Sequence, residues 1–144
     1  MLRRDVQYLT SYHLEIVAHF KFYVTCEDFK DVRKMWCKPG RCMYVITYDD
    51  NVIGTMGITE ESKKSVGLLR MGLKRPYQGK GIGSFAVEFL IDQFKREKYE
   101  ELTVQLGTYN MRAKQFYERL GFREYFREKN RTIGYDDIDM RLVL

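Results

Sequence analysis

The stretch Tyr77–Phe85, Tyr-Gln-Gly-Lys-Gly-Ile-Gly-Ser-Phe, constrains the fold more than any other part of the chain. Glycine stands at positions 79, 81 and 83, and an apolar run follows. A chain gives up side chains in this way where the backbone must turn sharply or where something approaches it closely. Before it, Val66–Leu73 reads as a strand; behind it, Ser84–Lys98 carries Ala86, Phe89, Leu90 and Phe94 on one helical face, with its charges gathered at the far end. A strand, a glycine turn and a helix in this order aim unpaired backbone N–H groups at one point, a arrangement that attracts phosphate.

The remaining elements define the fold class. Cys42–Tyr48 and Val52–Ile58 read as strands, and Asp49-Asp50-Asn51 between them is turn chemistry, so a hairpin is expected. A polar turn, Thr59–Ser65, leads into the strand Val66–Leu73. Leu102–Leu106 reads as a buried strand. The next helix has Asn110 as its N-cap, Gly121 as its stop, and a stripe of Ala113, Phe116, Tyr117 and Leu120. A strand around Arg123–Glu128 and a final strand turning Ile138, Met140, Leu142 and Leu144 inward complete the order. The N-terminal third reads as a short strand near Asp5–Leu9 and two helical segments; the second, Glu27–Trp36, sets Phe29, Val32 and Trp36 on one face. The expected architecture is α/β: a mixed central sheet in the order β-α-α-β-β-β-α-β-α-β-β, with helices on both faces. Its 144 residues suit one domain, 1–144.

Composition narrows the class. Aromatic residues make up 15% of the chain, so a disordered chain is not expected. No apolar run approaches the ~20 residues of a membrane helix, and the first residues lack an apolar signal core, which points to a cytoplasmic protein away from the membrane. Cys26, Cys37 and Cys42 have no zinc spacing and read as reduced thiols; His13 and His19 make no metal site by themselves. The net charge of +5 is spread widely and does not by itself indicate nucleic acid.

Two phosphate-binding patterns fail. Gly81–Ala86 fits G-x-G-x-x-A, but the dinucleotide fold needs an acid ending the next strand, and Leu102–Leu106 has none. A nucleotide P-loop needs Gly-Lys-Ser/Thr, and Lys80 is followed by glycine. A third pattern uses more of the chain. Gln78–Gly83 fits Q/R-x-x-G-x-G/A, and Asn110–Phe122 fits N-x-x-A-x-x-x-Y-x-x-x-G-F. Together, in this order, they resemble the GCN5-related N-acetyltransferase superfamily over Leu68–Phe122.

The resemblance implies an N-acetyltransferase that moves an acetyl group from acetyl-CoA, its co-substrate, to a primary amine by direct attack in a ternary complex. Gln78, Gly79, Lys80, Gly81, Ile82, Gly83 and Ser84 would wrap the pyrophosphate, with Lys74 and Arg75 adding charge or forming a solvated rim. Backbone groups near Leu73 would bond the pantetheine arm. The Met71 N–H would donate to the thioester carbonyl and stabilise the oxyanion. Tyr117 would protonate the leaving thiolate, although a tyrosine on an apolar stripe is also ordinary core. Asn110 would cap its helix, contact the cofactor arm, or both. No cysteine lies in the matched motifs, so no acetyl-enzyme is implied, and no metal is required.

Some family members carry a glutamate on the strand before the glycine turn. Here that region holds Gly67, and no Asp or Glu occurs between Ser62 and Val87. Glu60 and Glu61 lie at the far end of the hairpin and read as a solvated turn. Arg70 would bring positive charge near the thioester strand, or serve as a surface arginine. The implied acceptor is a small-molecule or peptide amine, and a homodimer is compatible with the sequence. The alternative is a non-enzymatic module of the same fold that binds acyl-CoA as a sensor or interaction partner.

Overall fold

The computed structural model describes residues 32–36, 38–130 and 134–144. The strand near Asp5–Leu9, the first N-terminal helix and the start of the second lie outside them. The described elements are α1 (Val32–Trp36), β1 (Arg41–Tyr48), β2 (Asn51–Glu60), β3 (Ser65–Leu73), a 3-10 turn (Arg75–Tyr77), α2 (Ile82–Arg96), β4 (Glu101–Gly107), α3 (Met111–Arg119), β5 (Arg123–Asn130) and β6 (Tyr135–Val143). The strands form one six-stranded mixed sheet in the order β1-β2-β3-β4-β6-β5. The class and the succession of elements expected from Cys42 onward are those observed.

Contacts divide the chain into two compact units. The first takes in the described residues up to Ile58 together with Arg70–Gly83. Its hairpin closes through Asp49 and Asp50, both left-handed at φ +48° and +60°. Two positive φ values in succession form the turn type whose twist matches paired strands. Aspartate tolerates that region better than most residues, and the Asn51 side-chain amide donates to the Asp49 carbonyl at 2.9 Å. Trp36, Ile53, Met56 and Ile58 are buried.

The second unit comprises Thr59–Leu69 and Ser84–Leu144. Here β3 pairs with β4 in parallel from Ser65↔Glu101 to Leu68↔Val104. β4 pairs antiparallel with β6, and β6 with β5, where the register shifts between Glu124 and Phe126. Val66, Leu68, Val87, Leu90, Leu102, Phe122, Ile138 and Met140 are at most 3% exposed and form its core. Each such side chain contributes roughly 1.5–3 kcal/mol relative to exposure.

The stripe expected on α2 needs one correction. Ala86, Leu90 and Phe94 are buried as expected, joined by Val87 and Ile91, but Phe89 is 48% exposed. Phe85 and Phe89 form a second i, i+4 apolar row, and at about 100° per residue it falls outside the buried one. On β6, Ile138 and Met140 are buried while Leu142 and Leu144 are half-buried, because the strand ends at Val143.

Candidate active site

The glycine turn lies at the end of the first unit. Gly79 and Gly81 have φ of +73° and +81°. That left-handed conformation is the direct reason for glycine at these two positions. Among the described residues, no heavy atom lies within 4 Å of where a Cβ would project from either. The turn thus presents bare backbone to open space. Gly83 differs: it is buried in the first turn of α2. The leading N–H groups of α2, from Ile82, Gly83 and Ser84 onward, have no intrahelical partners, and no acidic residue in the first turn competes with an incoming anion. Lys80 is exposed on the same turn.

Two contacts fix the turn to its strand. The Gln78 side-chain amide donates to the Leu73 carbonyl at 2.8 Å, and the Tyr77 ring packs on Tyr48 with centroids 6.0 Å apart. Gln78 therefore acts at its own strand end, as a clamp. The neighbouring Lys74 N–H donates to the Ile53 carbonyl at 2.7 Å.

β3 is irregular just before Met71. Arg70 has φ +51° inside the strand, a conformation strained for an arginine. It is stabilised by a buried partner: Thr55, fully inaccessible, donates its hydroxyl to the Arg70 carbonyl at 2.8 Å. Gly54 beside it allows close approach, since a Cβ there would stand 2.6 Å from the Gly72 carbonyl oxygen. Sequence reasoning singled out Met71 and Gly72 but missed Gly54 and Thr55. A threonine in an apolar strand gives no sign of its partner until the strands are paired. Met71 is half-buried and Leu73 buried.

Ser84, Asn110 and Tyr117 belong to the second unit. Asn110 is the N-cap of α3; its side-chain oxygen accepts from the Ala113 N–H at 3.1 Å. Gly121, at φ +98°, follows the helix end as expected of a stop. Tyr117 is 8% exposed, with its ring edge-on to Phe116 and Phe122 at 5.1 and 5.2 Å. Burial pushes its hydroxyl well above the ordinary phenol range. The group keeps its proton at neutral pH.

Glu61 is exposed in its turn, as expected, but its carboxylate is engaged. One of its carboxylate oxygens accepts from the Thr103 hydroxyl and the other from the Ser65 hydroxyl, both at 3.0 Å. A Cβ on Gly67 would lie 2.6 Å from the first of these oxygens. The missing side chain at 67 is what lets the carboxylate lie over the sheet.

The profile of the Acetyltransferase (GNAT) family matches residues 9–122. The chain belongs to that family. N-acetylaspartate synthetase from Rattus norvegicus is 29% identical over 106 residues, which make up 70% of this chain and 36% of that protein. The Homo sapiens protein of the same name is also 29% identical over 106 residues, 35% of its length. The chain thus spans little more than a third of the curated relatives it matches. Among solved structures, a GNAT acetyltransferase from Staphylococcus aureus Mu50 superposes with TM-score 0.83 at 19% identity, covering 100% of this chain and 96% of the other. The ribosomal-protein-S18-alanine N-acetyltransferase from Escherichia coli gives 0.78 at 23% identity, covering 99% and 90%. A GNAT acetyltransferase from Elizabethkingia anophelis with acetyl-CoA bound gives 0.70 at 18%, covering 80% and 83%. These likenesses establish a GNAT fold. Both GNAT motifs read from the sequence, Gln78–Gly83 and Asn110–Phe122, lie inside the matched residues.

Proposed function

We propose that the chain is an acetyl-CoA-dependent N-acetyltransferase that acetylates a primary amine by direct attack in a ternary complex. The observation that carries this reading is the turn Gln78–Ser84 in a chain of the GNAT family. Its two left-handed glycines leave, among the described residues, open space beside the backbone at the start of an acid-free helix turn. A pyrophosphate is the ligand such a turn suits. Gly79, Lys80, Gly81, Ile82, Gly83 and Ser84 would hold it, and Gln78 would act by fixing the turn to Leu73.

In the proposed reaction the amine nitrogen forms a bond to the thioester carbonyl carbon. The carbonyl oxygen gains charge and accepts from the Met71 N–H, which directly follows the Arg70 irregularity. The carbon–sulfur bond then breaks with its electron pair on sulfur. Tyr117 gives that sulfur a proton; the proton released by nitrogen passes to solvent, and solvent returns one to Tyr117. Its hydroxyl carries the proton this role requires, and burial makes it a weaker acid than an exposed phenol. Asn110 would hold α3, and with it Tyr117, in place.

Thermal unfolding with acetyl-CoA tests the reading, with NAD and ATP as controls. At about 100 times its Kd a ligand adds about 2.7 kcal/mol of stability, and at roughly 3 °C per kcal/mol the midpoint rises by about 8 °C. Acetyl-CoA alone should give the shift, and acetyl transfer to a panel of amines should follow. Absence of the shift with acetyl-CoA refutes the assignment. A shift without turnover of any amine leaves the non-enzymatic binder as the correct description.

A further inference from the structure

Within the second unit lies a pocket of about 210 Å3 lined by Thr59, Glu61, Gly67, Leu68, Leu69, Thr103, Val104, Gln105, Tyr125 and Asp139. The turn, Met71 and Tyr117 take no part in its lining. On the order of 150 Å3 is enough to lodge a benzene ring, so the volume suits a short organic chain.

The chemistry of its wall is one-sided. Among the described residues, two carboxylates line it and no lysine or arginine does. This occurs in a chain of net charge +5, so overall composition does not produce it. Both carboxylates are held by neutral donors: Glu61 by the Ser65 and Thr103 hydroxyls, Asp139 by the Gln105 amide at 3.0 Å. Among the described residues, neither has an ion-pair partner. Arg141, two residues along β6 from Asp139 and paired across the strands with Thr103, borders the pocket: it stacks over the ring of Tyr125, a lining residue, at 4.9 Å and faces Glu101 at 3.8 Å. The Tyr125 hydroxyl is raised above the phenol range first by burial and then by the charges of Asp139, Glu61 and Glu101, while Arg141 acts in the other direction. Leu69 supplies an apolar part, while Leu68 and Val104, whose side chains are buried in the core, border it with backbone; the Tyr125 ring carries Arg141 on one face. Fixed carboxylates and hydroxyls beside the Leu69 side chain suit an alkyl chain ending in a cation.

We propose that this pocket binds the alkylammonium end of a cationic amine acceptor, held by the carboxylates of Glu61 and Asp139. The assignment rests on the acetyltransferase reading for the word acceptor; the pocket's preference for a cation stands on its wall alone. An acidic acceptor such as aspartate would meet two like charges there, and the bordering Arg141 already faces Glu101. Specificity for positive charge follows from that repulsion as much as from the attraction.

The test is binding of 1,4-diaminobutane to the full chain, with n-butylamine and L-aspartate alongside, followed by NMR and calorimetry at fixed ionic strength. Resonances of Thr103, Gln105 and Tyr125 should move on adding the diamine and stay still with aspartate. A hydrogen bond to a charged group is worth enough that Glu61→Gln and Asp139→Asn should each weaken diamine binding about tenfold. Both substitutions preserve shape, and thermal midpoints close to the parent's show that the fold is kept. The midpoint shift with acetyl-CoA should be unaffected in both. In turnover the two variants should raise the KM for the diamine and leave that for acetyl-CoA unchanged. Diamine affinity equal in parent and variants, or aspartate bound or acetylated better than the diamine, overturns the proposal. Absence of an acetyl-CoA shift would instead refute the function proposed above, while the diamine titration would still report on the pocket.

Discussion

Thr55→Val isolates one hydrogen bond beneath the candidate site. Threonine and valine have nearly the same shape, so no cavity forms, and the change removes only the donor to the Arg70 carbonyl. Thr55 is 0% exposed and the bond is 2.8 Å long. The loss has two parts. The net contribution of the hydrogen bond is about 1 kcal/mol, and a half-buried acceptor deprived of this donor is penalised by about 1–3 kcal/mol. These overlap, so a destabilisation of about 2 kcal/mol is expected. At roughly 3 °C per kcal/mol the thermal midpoint should fall by about 6 °C, and with a urea slope near 1.5 kcal/mol/M the midpoint should fall by about 1.3 M. Thr55→Ser keeps the hydroxyl and loses one methyl, worth about 0.8 kcal/mol of burial. Serine should therefore be milder than valine, the reverse of what apolar burial alone would give. Urea unfolding of parent and both variants decides the matter. A valine variant within 0.5 M of the parent, or a serine variant less stable than valine, would refute the claim that this bond holds the left-handed Arg70 in place.

Two further substitutions probe the proposed chemistry. Tyr117→Phe should lower kcat at neutral pH by about a hundredfold, within the usual range for a general acid, and leave the acetyl-CoA midpoint shift intact; steady-state kinetics equal to the parent's would return Tyr117 to a packing role. Gly81→Glu combines a left-handed side chain, at about 1–2 kcal/mol, with a negative charge where an anion is expected, and should abolish the acetyl-CoA shift. Gly81→Asn, which tolerates the same φ, should fold normally, and an undiminished shift in the glutamate variant would refute the pyrophosphate assignment.

Elements governed by local rules were legible in the sequence. Asn110 caps α3, Gly121 ends it, and Asp49-Asp50 turns the hairpin, because each depends on a residue's own φ/ψ or on a partner three positions away. α2 was legible as a helix, yet which side it buries was only partly so. With Phe85 and Phe89 in one row and Ala86, Leu90 and Phe94 in another, periodicity offers two apolar faces, and packing selects one. The glycine turn was legible as a pattern, whereas its cause had to be divided: left-handed backbone at 79 and 81, burial in a helix turn at 83.

The sequence by itself determined the family, through two motifs whose spacing survives without coordinates, and the order of the elements from the first hairpin onward. Only the tertiary structure decided how distant residues serve one another. Thr55 supports Arg70 across paired strands. Gln78 spends its amide on Leu73. Glu61 is held by Thr103, far along the chain, in the space left by Gly67. These contacts depend on strand register and on the absence of a side chain opposite. Such relations are set when strands pair, and no local propensity encodes them.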